Sequence, residues 1–266
     1  NFFLKINIKN ADAWRVNNKK EKEKYINKFK IDPKRIFVNH TLINTNSFTK
    51  ELKNKELKAI KGKLSNKKDT RFLIWAGRPV KVKRLDFLIN SFKYINEKIP
   101  NTKLIIVGDF SLHKNALKNL KNLNPNLNKD LIIYDKGANH ELLAKLFKVA
   151  DVYLHTSSYE GFGVVLAEAA LSGLPIVSTY NDGVLEIVEN KKTGIIVREH
   201  IPFDFAKYVI KILKNDSLRN NLSKNAKKTA LLKFDRNINL EKRAWLWRKV
   251  SESGFNSKVD LSEFSE

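Results

Sequence analysis

Residues 152–177 read VYLHTSSYEGFGVVLAEAALSGLPIV and contain two short apolar runs on either side of a longer apolar segment. The runs at 152–154 and 175–177 have consecutive apolar residues, which is typical of strands that are covered on both faces. Residues 164–171 have the length and composition of a buried helix, and a Ser-Gly pair ends it. The stretch therefore predicts a strand–helix–strand unit, which places two parallel strands in one sheet.

The same alternation extends on both sides of this unit. Apolar runs that predict further strands lie at residues 72–75, 104–107 and 131–134. Apolar residues at helical spacing predict helices at residues 85–95 and 142–150, and near the end of the chain at 203–214, 216–233 and 238–250. The sequence therefore predicts an α/β fold, a doubly wound parallel sheet over about residues 71–200, with extra terminal helices. Ligands of such sheets bind beyond the carboxyl ends of the strands, often at helix N-termini.

The composition of the chain is strongly basic. Lys and Arg total 51 against 28 Asp and Glu, which gives the 266 residues a net charge of +23. Such a charge favours polyanionic partners, namely nucleic acid, an anionic membrane surface or phosphorylated substrates. A coding bias toward Lys, Asn and Ile would give the same charge without any partner, so both interpretations stay open. The chain contains no Cys, which excludes disulfides and thiolate metal sites.

The most specific motif lies in the middle of the opening stretch. Glu160 precedes Gly161-Phe162-Gly163, and Glu168 follows two helical turns later. Glycines allow the backbone to approach a ligand closely, and the helix start offers unpaired N–H groups to a phosphate or a hydroxyl. A carboxylate at either position could accept hydrogen bonds from vicinal hydroxyls. The alternative is that the glycines only end a strand–helix turn and that Glu168 is solvated.

A second group of candidate residues lies in the loop after the strand at 72–75. Gly77-Arg78 ends the strand, and Lys83-Arg84 follows shortly after. A guanidinium binds phosphate oxygens through two hydrogen bonds and an ammonium acts as a point charge, so Arg78 and Lys83 together suit a diphosphate. In so basic a chain, an ordinary solvated loop is the alternative for any one of these residues.

Other classes of site find no support in the sequence. The five histidines are His40, His113, His140, His155 and His200. They lack the spacing of metal ligands, so the sequence predicts no metal site. Neither a Gly-x-Ser-x-Gly elbow nor a P-loop occurs, which argues against serine hydrolases and P-loop kinases.

Taken in order, these motifs resemble the donor-binding C-terminal half of the family 4 retaining glycosyltransferases, which belong to the glycosyl transferases group 1. The resemblance rests on Gly77-Arg78 with Lys83, residues 106–109, the Glu160 and Glu168 pair with its internal Gly-Phe-Gly, residues 173–177 and Thr193-Gly194. It extends over about residues 11–250 and implies a GT-B fold, which has two Rossmann-like domains.

The resemblance implies catalytic roles for two basic residues. Arg78 and Lys83 would neutralise the diphosphate of the donor and stabilise the departing nucleotide, with Gly77 as a donor-binding residue beside them. Arg84 departs from the family, which usually has Gly directly after this lysine.

The resemblance also implies roles for the second motif. Glu160 would hold the donor sugar, as the third catalytic residue, together with the backbone of Gly161, Phe162 and Gly163. Glu168 would bind the ribose hydroxyls of the nucleotide. No metal or other cofactor is implied, since a nucleotide sugar is a co-substrate.

The family pattern further implies a division of the chain. Residues 1–48 would be a remnant of the acceptor domain with the interdomain crossover, and residues 49–70 a Lys-rich linker. Residues 71–235 would form the donor-binding domain. Residues 236–266 would be a helix that crosses back to the acceptor domain, followed by a tail. The rest of an N-terminal acceptor domain would be a missing partner, so we expect this chain to be inactive alone.

The resemblance favours one function over two others. It implies a cytoplasmic hexosyltransferase with peripheral contact at the inner face of an anionic membrane and no nucleic-acid partner. Its acceptor would be a glycan or a lipid-linked molecule in cell-surface polysaccharide or lipopolysaccharide biosynthesis. A basic, non-enzymatic module that binds nucleic acid or anionic membrane through residues 1–70 is the first alternative. A GT-B relative such as a sugar-nucleotide epimerase or a phosphorylase is the second, because a fold alone does not determine chemistry.

Overall fold

The computed structural model of the chain describes residues 11–254 and 258–262. The chain forms two compact units, of which the larger is Asn44–Lys233 and the smaller consists of the residues before and after that range. The Lys-rich stretch 49–70, which we expected to be a linker, lies inside the larger unit and contains the helix Asn54–Leu64.

The helices and strands follow one another in the alternating order that the sequence predicts. The strands are β1 (Trp14–Val16), β2 (Ile36–Val38), β3 (Arg71–Ala76), β4 (Thr102–Val107), β5 (Leu131–Tyr134), β6 (Val152–His155), β7 (Ile176–Thr179) and β8 (Gly194–Val197). The helices are α1 (Lys19–Phe29), α2 (Thr45–Thr49), α3 (Asn54–Leu64), α4 (Leu85–Lys98), α5 (Lys114–Leu123), α6 (His140–Val149), α7 (Val164–Leu171), α8 (Pro202–Lys214), α9 (Asp216–Phe234) and α10 (Arg236–Glu252). Short 3₁₀ helices lie at Pro33–Arg35, Lys81–Lys83, Pro125–Asp130 and Val184–Glu186.

The larger unit is built on a six-stranded sheet with the strand order β5-β4-β3-β6-β7-β8. Every pair of neighbouring strands is parallel. The strand order reverses at the centre of the sheet: β4 and β5 lie on one side of β3, and β6, β7 and β8 lie on the other. There β3 pairs with β6, and Leu73 is the partner of Val152. Both of these central strands are buried along almost their whole length, as their unbroken apolar runs predict. The doubly wound α/β fold is therefore confirmed.

Helices pack on the sheet because each carries an apolar side. In α4, Leu88, Phe92 and Ile95 recur at helical spacing and are fully buried. This helix packs against α8, where the rings of Phe87 and Phe205 meet edge to face with centroids 5.5 Å apart. Within residues 11–254 and 258–262, no helix has both the length and the apolar character needed to cross a membrane.

The smaller unit contains a parallel pair of strands, β1 and β2, together with α1 and α10. Asn18 caps α1, because its side-chain oxygen accepts a hydrogen bond from the backbone N–H of Glu21 (2.6 Å). On α10, Trp245 packs against Phe37 with ring centroids 5.5 Å apart, whereas Trp247 is 68% exposed. The two tryptophans of this helix therefore lie in different environments.

Candidate functional site

The loops that follow β3 and β6 lie side by side at the carboxyl edge of the sheet. The backbone N–H of Ser158 donates to the carbonyl oxygen of Val82 (2.8 Å), and the hydroxyl of Thr156 donates to that of Lys83 (2.7 Å). These hydrogen bonds join the loop that contains Lys83 to the loop that contains Glu160. The two groups of candidate residues are therefore neighbours, as expected for loops that follow adjacent parallel strands.

Lys83 and Glu160 form an ion pair across these loops, although they are 77 residues apart in the chain. Each side chain is only 17% exposed. Burial alone would raise the pKa of Glu160, but hydrogen bonds from His155 and Lys83 and the charge of Lys83 outweigh it and lower this pKa to about 2. The carboxylate is therefore ionised at neutral pH and is held in place by two donors.

His155, at the end of β6, is the second partner of Glu160. Its Nε2 lies 3.4 Å from Glu160 Oε2, and its Nδ1 lies 2.9 Å from Ser178 Oγ. Burial lowers the pKa of His155, although Glu160 acts in the opposite direction, so the ring is neutral at neutral pH. A neutral ring that donates from Nε2 must accept at Nδ1. The Ser178 hydroxyl also lies 2.8 Å from the carbonyl oxygen of Thr179, so its single hydrogen is donated either to that oxygen or to His155 Nδ1, and the tautomer that donates to Glu160 requires the second arrangement.

Glu168, on α7, is in a different electrostatic environment. Its side chain is 4% exposed, and Glu168 Oε1 lies 3.7 Å from His140 Nε2, which is beyond hydrogen-bond distance. Burial raises the pKa of Glu168 to about 7. Within the described part of the chain, no donor compensates this buried carboxylate. Such a group is suited to receive hydrogen bonds from a ligand.

The buried side chain of Tyr153 contacts the end of β3 and lies near both Glu160 and Glu168. Its hydroxyl donates to the carbonyl oxygen of Ala76 (3.1 Å). Burial raises the pKa of Tyr153, and the negative charges of Glu160 and Glu168 raise it further. One buried side chain therefore lies within electrostatic range of both carboxylates, directly beneath the carboxyl edge.

The two remaining basic candidates of this loop, Arg78 and Arg84, differ in their surroundings. Arg78 directly follows Gly77 at the end of β3, is exposed, and pairs with no carboxylate among residues 11–254 and 258–262. Arg84 instead donates to Nδ1 of His200 (2.9 Å), and its guanidinium lies 4.3 Å from the centre of the Phe87 ring. Its backbone is left-handed, with φ at 52°. This conformation explains why the resembled family usually has Gly there.

The glycine turn before α7 has two different steric environments. Gly163 has φ at 84°, a left-handed conformation at the N-cap of α7, and a Cβ there would lie 3.2 Å from Glu160 Cγ. A Cβ on Gly161 would meet nothing within 4 Å.

The loop after β7 packs against the same turn through a glycine. A Cβ on Gly183 would overlap the carbonyl oxygen of Glu160. Gly183 therefore allows this loop to pack directly on the backbone of Glu160.

We expect Gly183→Ala to destabilise the fold by about 1–2 kcal/mol, because the added methyl must displace the backbone of Glu160. Gly161→Ala is the matched control, since its methyl enters open space and should leave the free energy of unfolding within about 0.5 kcal/mol of wild type. Urea unfolding of both variants measures the difference. Equal stabilities of the two variants would show that the loops adjust without cost.

The histidines of the site were not identified from the sequence. His155 and His140 lack metal-ligand spacing, and in the described chain no group of three or more His, Cys, Asp or Glu side chains is placed to hold a metal ion. Each of the two instead approaches one of the candidate carboxylates. A polar residue at the end of an otherwise apolar strand, as in VYLH, is the signal that could have pointed to His155.

The chain is similar to several known proteins. Residues 57–229 match the family model described as glycosyl transferases group 1. An uncharacterized glycosyltransferase of Methanocaldococcus jannaschii is 30% identical over 167 residues, which are 62% of this chain and 42% of that protein. The capsular polysaccharide biosynthesis glycosyltransferase CapM of Staphylococcus aureus is 28% identical over 213 residues, which are 80% of this chain and 52% of CapM. The chain thus spans about half the length of these relatives.

The same fold occurs in a solved structure. HepE of Anabaena, in complex with UDP and glucose, matches 90% of this chain and 63% of its own with a TM-score of 0.79 and 18% identity. At this identity the likeness concerns the fold alone. The family match at residues 57–229 covers most of the chain, including the doubly wound sheet and the loops that carry Lys83 and Glu160. This chain therefore belongs to the glycosyl transferases group 1 family.

Proposed function

We propose that this chain is the donor-binding half of a retaining, family 4 hexosyltransferase and that it binds a nucleoside diphosphate sugar at the carboxyl edge of its sheet. The observation that carries the proposal is the ion pair between Lys83 and Glu160. It brings a cation suited to phosphate and a carboxylate suited to sugar hydroxyls into one site. HepE of Anabaena, which shares the fold, was solved with UDP and glucose and with UDP-glucose, and this supports a nucleotide sugar as the ligand.

In this proposal the diphosphate lies against Arg78 and Lys83. Arg78 is exposed and has no carboxylate partner in the described chain, so its guanidinium is available to phosphate oxygens. When the bond between the sugar and the diphosphate breaks, negative charge accumulates on the leaving phosphate. The two cations, of which Lys83 is held in place by Glu160, stabilise this charge more strongly in the transition state than in the bound donor. Because these side chains supply the positive charge, we propose no metal or other cofactor.

The nucleoside and the sugar lie against the two carboxylates. Glu168 has a buried carboxylate without a compensating donor among residues 11–254 and 258–262, and the vicinal hydroxyls of a ribose would supply donors to it. Glu160 is ionised, and His155 and Lys83 hold its orientation, so it can accept hydrogen bonds from the hydroxyls of the donor sugar. The backbone of Gly161–Gly163 completes the sugar site, where the open space beside Gly161 leaves room for a ligand.

The second substrate in this proposal is a glycan or a lipid-linked acceptor. CapM of Staphylococcus aureus is a capsular polysaccharide biosynthesis glycosyltransferase by name, which supports a role in cell-surface polysaccharide biosynthesis. The chain spans about half the length of such relatives. We therefore propose that residues outside this chain bind the acceptor, and that this chain alone binds the donor but transfers no sugar.

The test of this proposal is calorimetric titration with UDP, GDP, ADP and TDP and with their glucose conjugates. We expect at least one nucleotide and its sugar conjugate to bind, and Arg78→Ala to weaken both by about tenfold, because a hydrogen bond to a charged group is lost. Lys93→Ala, which removes one charge from the exposed side of α4, is the control and should leave the affinity unchanged.

Two outcomes would contradict the proposal. If none of these ligands binds, the carboxyl edge is not a nucleotide site. If Arg78→Ala and Lys93→Ala weaken binding equally, and binding falls steeply with salt, diffuse positive charge explains the affinity and a polyanion-binding module becomes the better interpretation.

A further inference from the structure

The smaller unit contains a cavity of about 440 Å³, which is the volume of a small-molecule site. Trp14, Arg15, Arg243, Leu246 and Trp247 line it, and they come from β1 and α10. Its walls are thus mainly aromatic and aliphatic, with two guanidinium groups among them. None of these residues belongs to the larger unit, which holds the proposed donor site.

The two arginines are fixed close together by one buried residue. Arg15 Nη1 donates to the carbonyl oxygen of Asn39 (2.8 Å), and Arg243 Nε lies 3.3 Å from Asn39 Oδ1, to which it donates. Arg243 Nη2 also donates to the carbonyl oxygen of His40 (3.3 Å). Because Asn39 is only 1% exposed, it is a rigid anchor for both side chains. The guanidinium groups are therefore positioned before any ligand arrives, which lowers the entropy cost of binding.

No carboxylate neutralises this pair within the residues that the structure describes. Asp12 lines the same cavity, but it forms an ion pair with neither arginine. Burial lowers the pKa of Arg243, and the positive charge of Arg15 lowers it further, which shows that the two guanidinium groups repel each other. An anion between them would relieve this repulsion, because Arg243 Nη1 and Arg15 Nε and Nη2 make no hydrogen bond among the described residues and can donate to phosphate oxygens.

The aromatic walls indicate that the anion carries an organic group. Trp247 is 68% exposed, so its indole offers an apolar face to solvent. The indole Nε1 of Trp14 is buried and has no acceptor among the described residues. Buried donors without acceptors are rare in folded proteins. Inorganic phosphate would use the two cations alone, whereas a phosphate ester would use the aromatic surface as well.

We propose that this cavity binds a phosphate monoester or diester of a small polyol, either as a free sugar or glycerol phosphate or as the headgroup of an anionic phospholipid. The arginine pair binds the phosphate, and the tryptophan faces contact the carbon skeleton. The proposal does not rest on the donor site in the larger unit, since the two sites share no residue. It also assigns a function to Arg15 and Arg243, which are two of the basic residues behind the strong positive charge of this chain.

The test is calorimetric titration of the 266-residue chain with sn-glycerol 3-phosphate and with glycerol, together with sedimentation on phosphatidylglycerol and on phosphatidylcholine vesicles. Binding of glycerol 3-phosphate without glycerol binding would identify a free ester as a ligand. Sedimentation with phosphatidylglycerol alone, without binding of the free ester, would identify the lipid headgroup. In either case, Arg15→Gln and Arg243→Gln should each weaken binding by roughly tenfold.

Two further variants make the test decisive. Arg248→Gln removes an exposed arginine of α10 outside the cavity and should leave binding unchanged. Trp247→Ala changes an exposed residue and should weaken binding without unfolding the chain, so the test stays informative even if Arg243→Gln is unstable. The proposal is overturned if no probe binds, or if Arg248→Gln weakens binding as much as the cavity variants do.

Discussion

Glu168→Gln is expected to raise the free energy of unfolding near pH 8 by roughly 2–3 kcal/mol, although it removes a proposed ligand-binding group. Burial raises the pKa of Glu168 from 4.5 to about 7, and no donor in the described chain compensates its carboxylate. At higher pH the folded chain therefore contains a buried negative charge that the unfolded chain exposes to water. Glutamine carries no charge, so the variant avoids this penalty.

The pH dependence of this effect follows from the direction of the pKa shift. Between about pH 4.5 and pH 7, the unfolded chain releases the Glu168 proton while the folded chain retains it. Wild-type stability relative to the variant must therefore fall as the pH rises through this window. Below it, the side chain is protonated in both states, and the difference should vanish.

Urea unfolding across this pH range measures the difference between the two proteins. Glu97→Gln, at an exposed position on α4, is the matched control and should leave stability unchanged at every pH. A Glu168→Gln variant no more stable than wild type near pH 8 would show that a donor compensates the carboxylate.

The same substitution should have the opposite effect on ligand binding. If Glu168 accepts hydrogen bonds from the ribose, Glu168→Gln should weaken nucleoside diphosphate binding by roughly tenfold to hundredfold. Wild-type affinity should also rise as the pH passes through about 7, because the ionised carboxylate is the stronger acceptor. The variant should lack this rise and keep only the change that comes from the ligand's own terminal phosphate, which loses its last proton near pH 6. A gain in stability with a loss in affinity is typical of a functional group that the fold buries at a cost.

The architecture could be predicted because it depends on local patterns. Unbroken apolar runs predicted β3 to β7, helical spacing predicted α4 and α6, and length and composition predicted α7. β8 was not predicted, although residues 195–197 form an apolar run as long as the one at 152–154, because Thr193-Gly194 was interpreted only as a turn. Its assignment to the sheet comes from the parallel pairing with β7, which is a non-local interaction. β8 is therefore the one strand of the six-stranded sheet that was not predicted from the sequence.

The site was only partly predictable for the same reason. Parallel strands place their following loops at one edge, so Arg78, Lys83 and Glu160 could be assigned to that edge from the sequence. The contacts of Glu160 with His155 and of His155 with Ser178 depend on side-chain positions that no spacing rule encodes. The contrast between an ionised Glu160 and a Glu168 with a raised pKa depends on burial and partners in three dimensions.

The ionised carboxylate of Glu160 depends on its ion pair with Lys83. Lys83→Met should lower the free energy of unfolding at neutral pH by about 3 kcal/mol, because it leaves a largely buried carboxylate with His155 as its remaining donor. Lys192→Met is the matched control. It breaks the pair with Glu189, whose side chains are 64% and 36% exposed, and should cost no more than about 0.5 kcal/mol.

A double-mutant cycle separates the ion pair from the packing of the two side chains. Glu160→Gln in the Lys83→Met background should restore part of the lost stability, since the double variant buries no unpaired charge. The stability contributed by the pKa shift of Glu160 should be present above about pH 4.5 in wild type and should disappear as the pH falls toward 2. Lys83→Met should show a smaller loss over this range.

The same variants decide whether Lys83 serves the ligand as well as the fold. Lys83→Met should weaken nucleoside diphosphate binding by roughly tenfold to hundredfold, because the phosphate loses a charged donor. If the cycle shows strong coupling but diphosphate affinity does not change, the pair is a structural link between two loops and Lys83 has no phosphate role. If both quantities fall, the ion pair holds the ammonium group in place between the loops before the donor binds. That arrangement is the electrostatic preorganisation that a departing diphosphate requires.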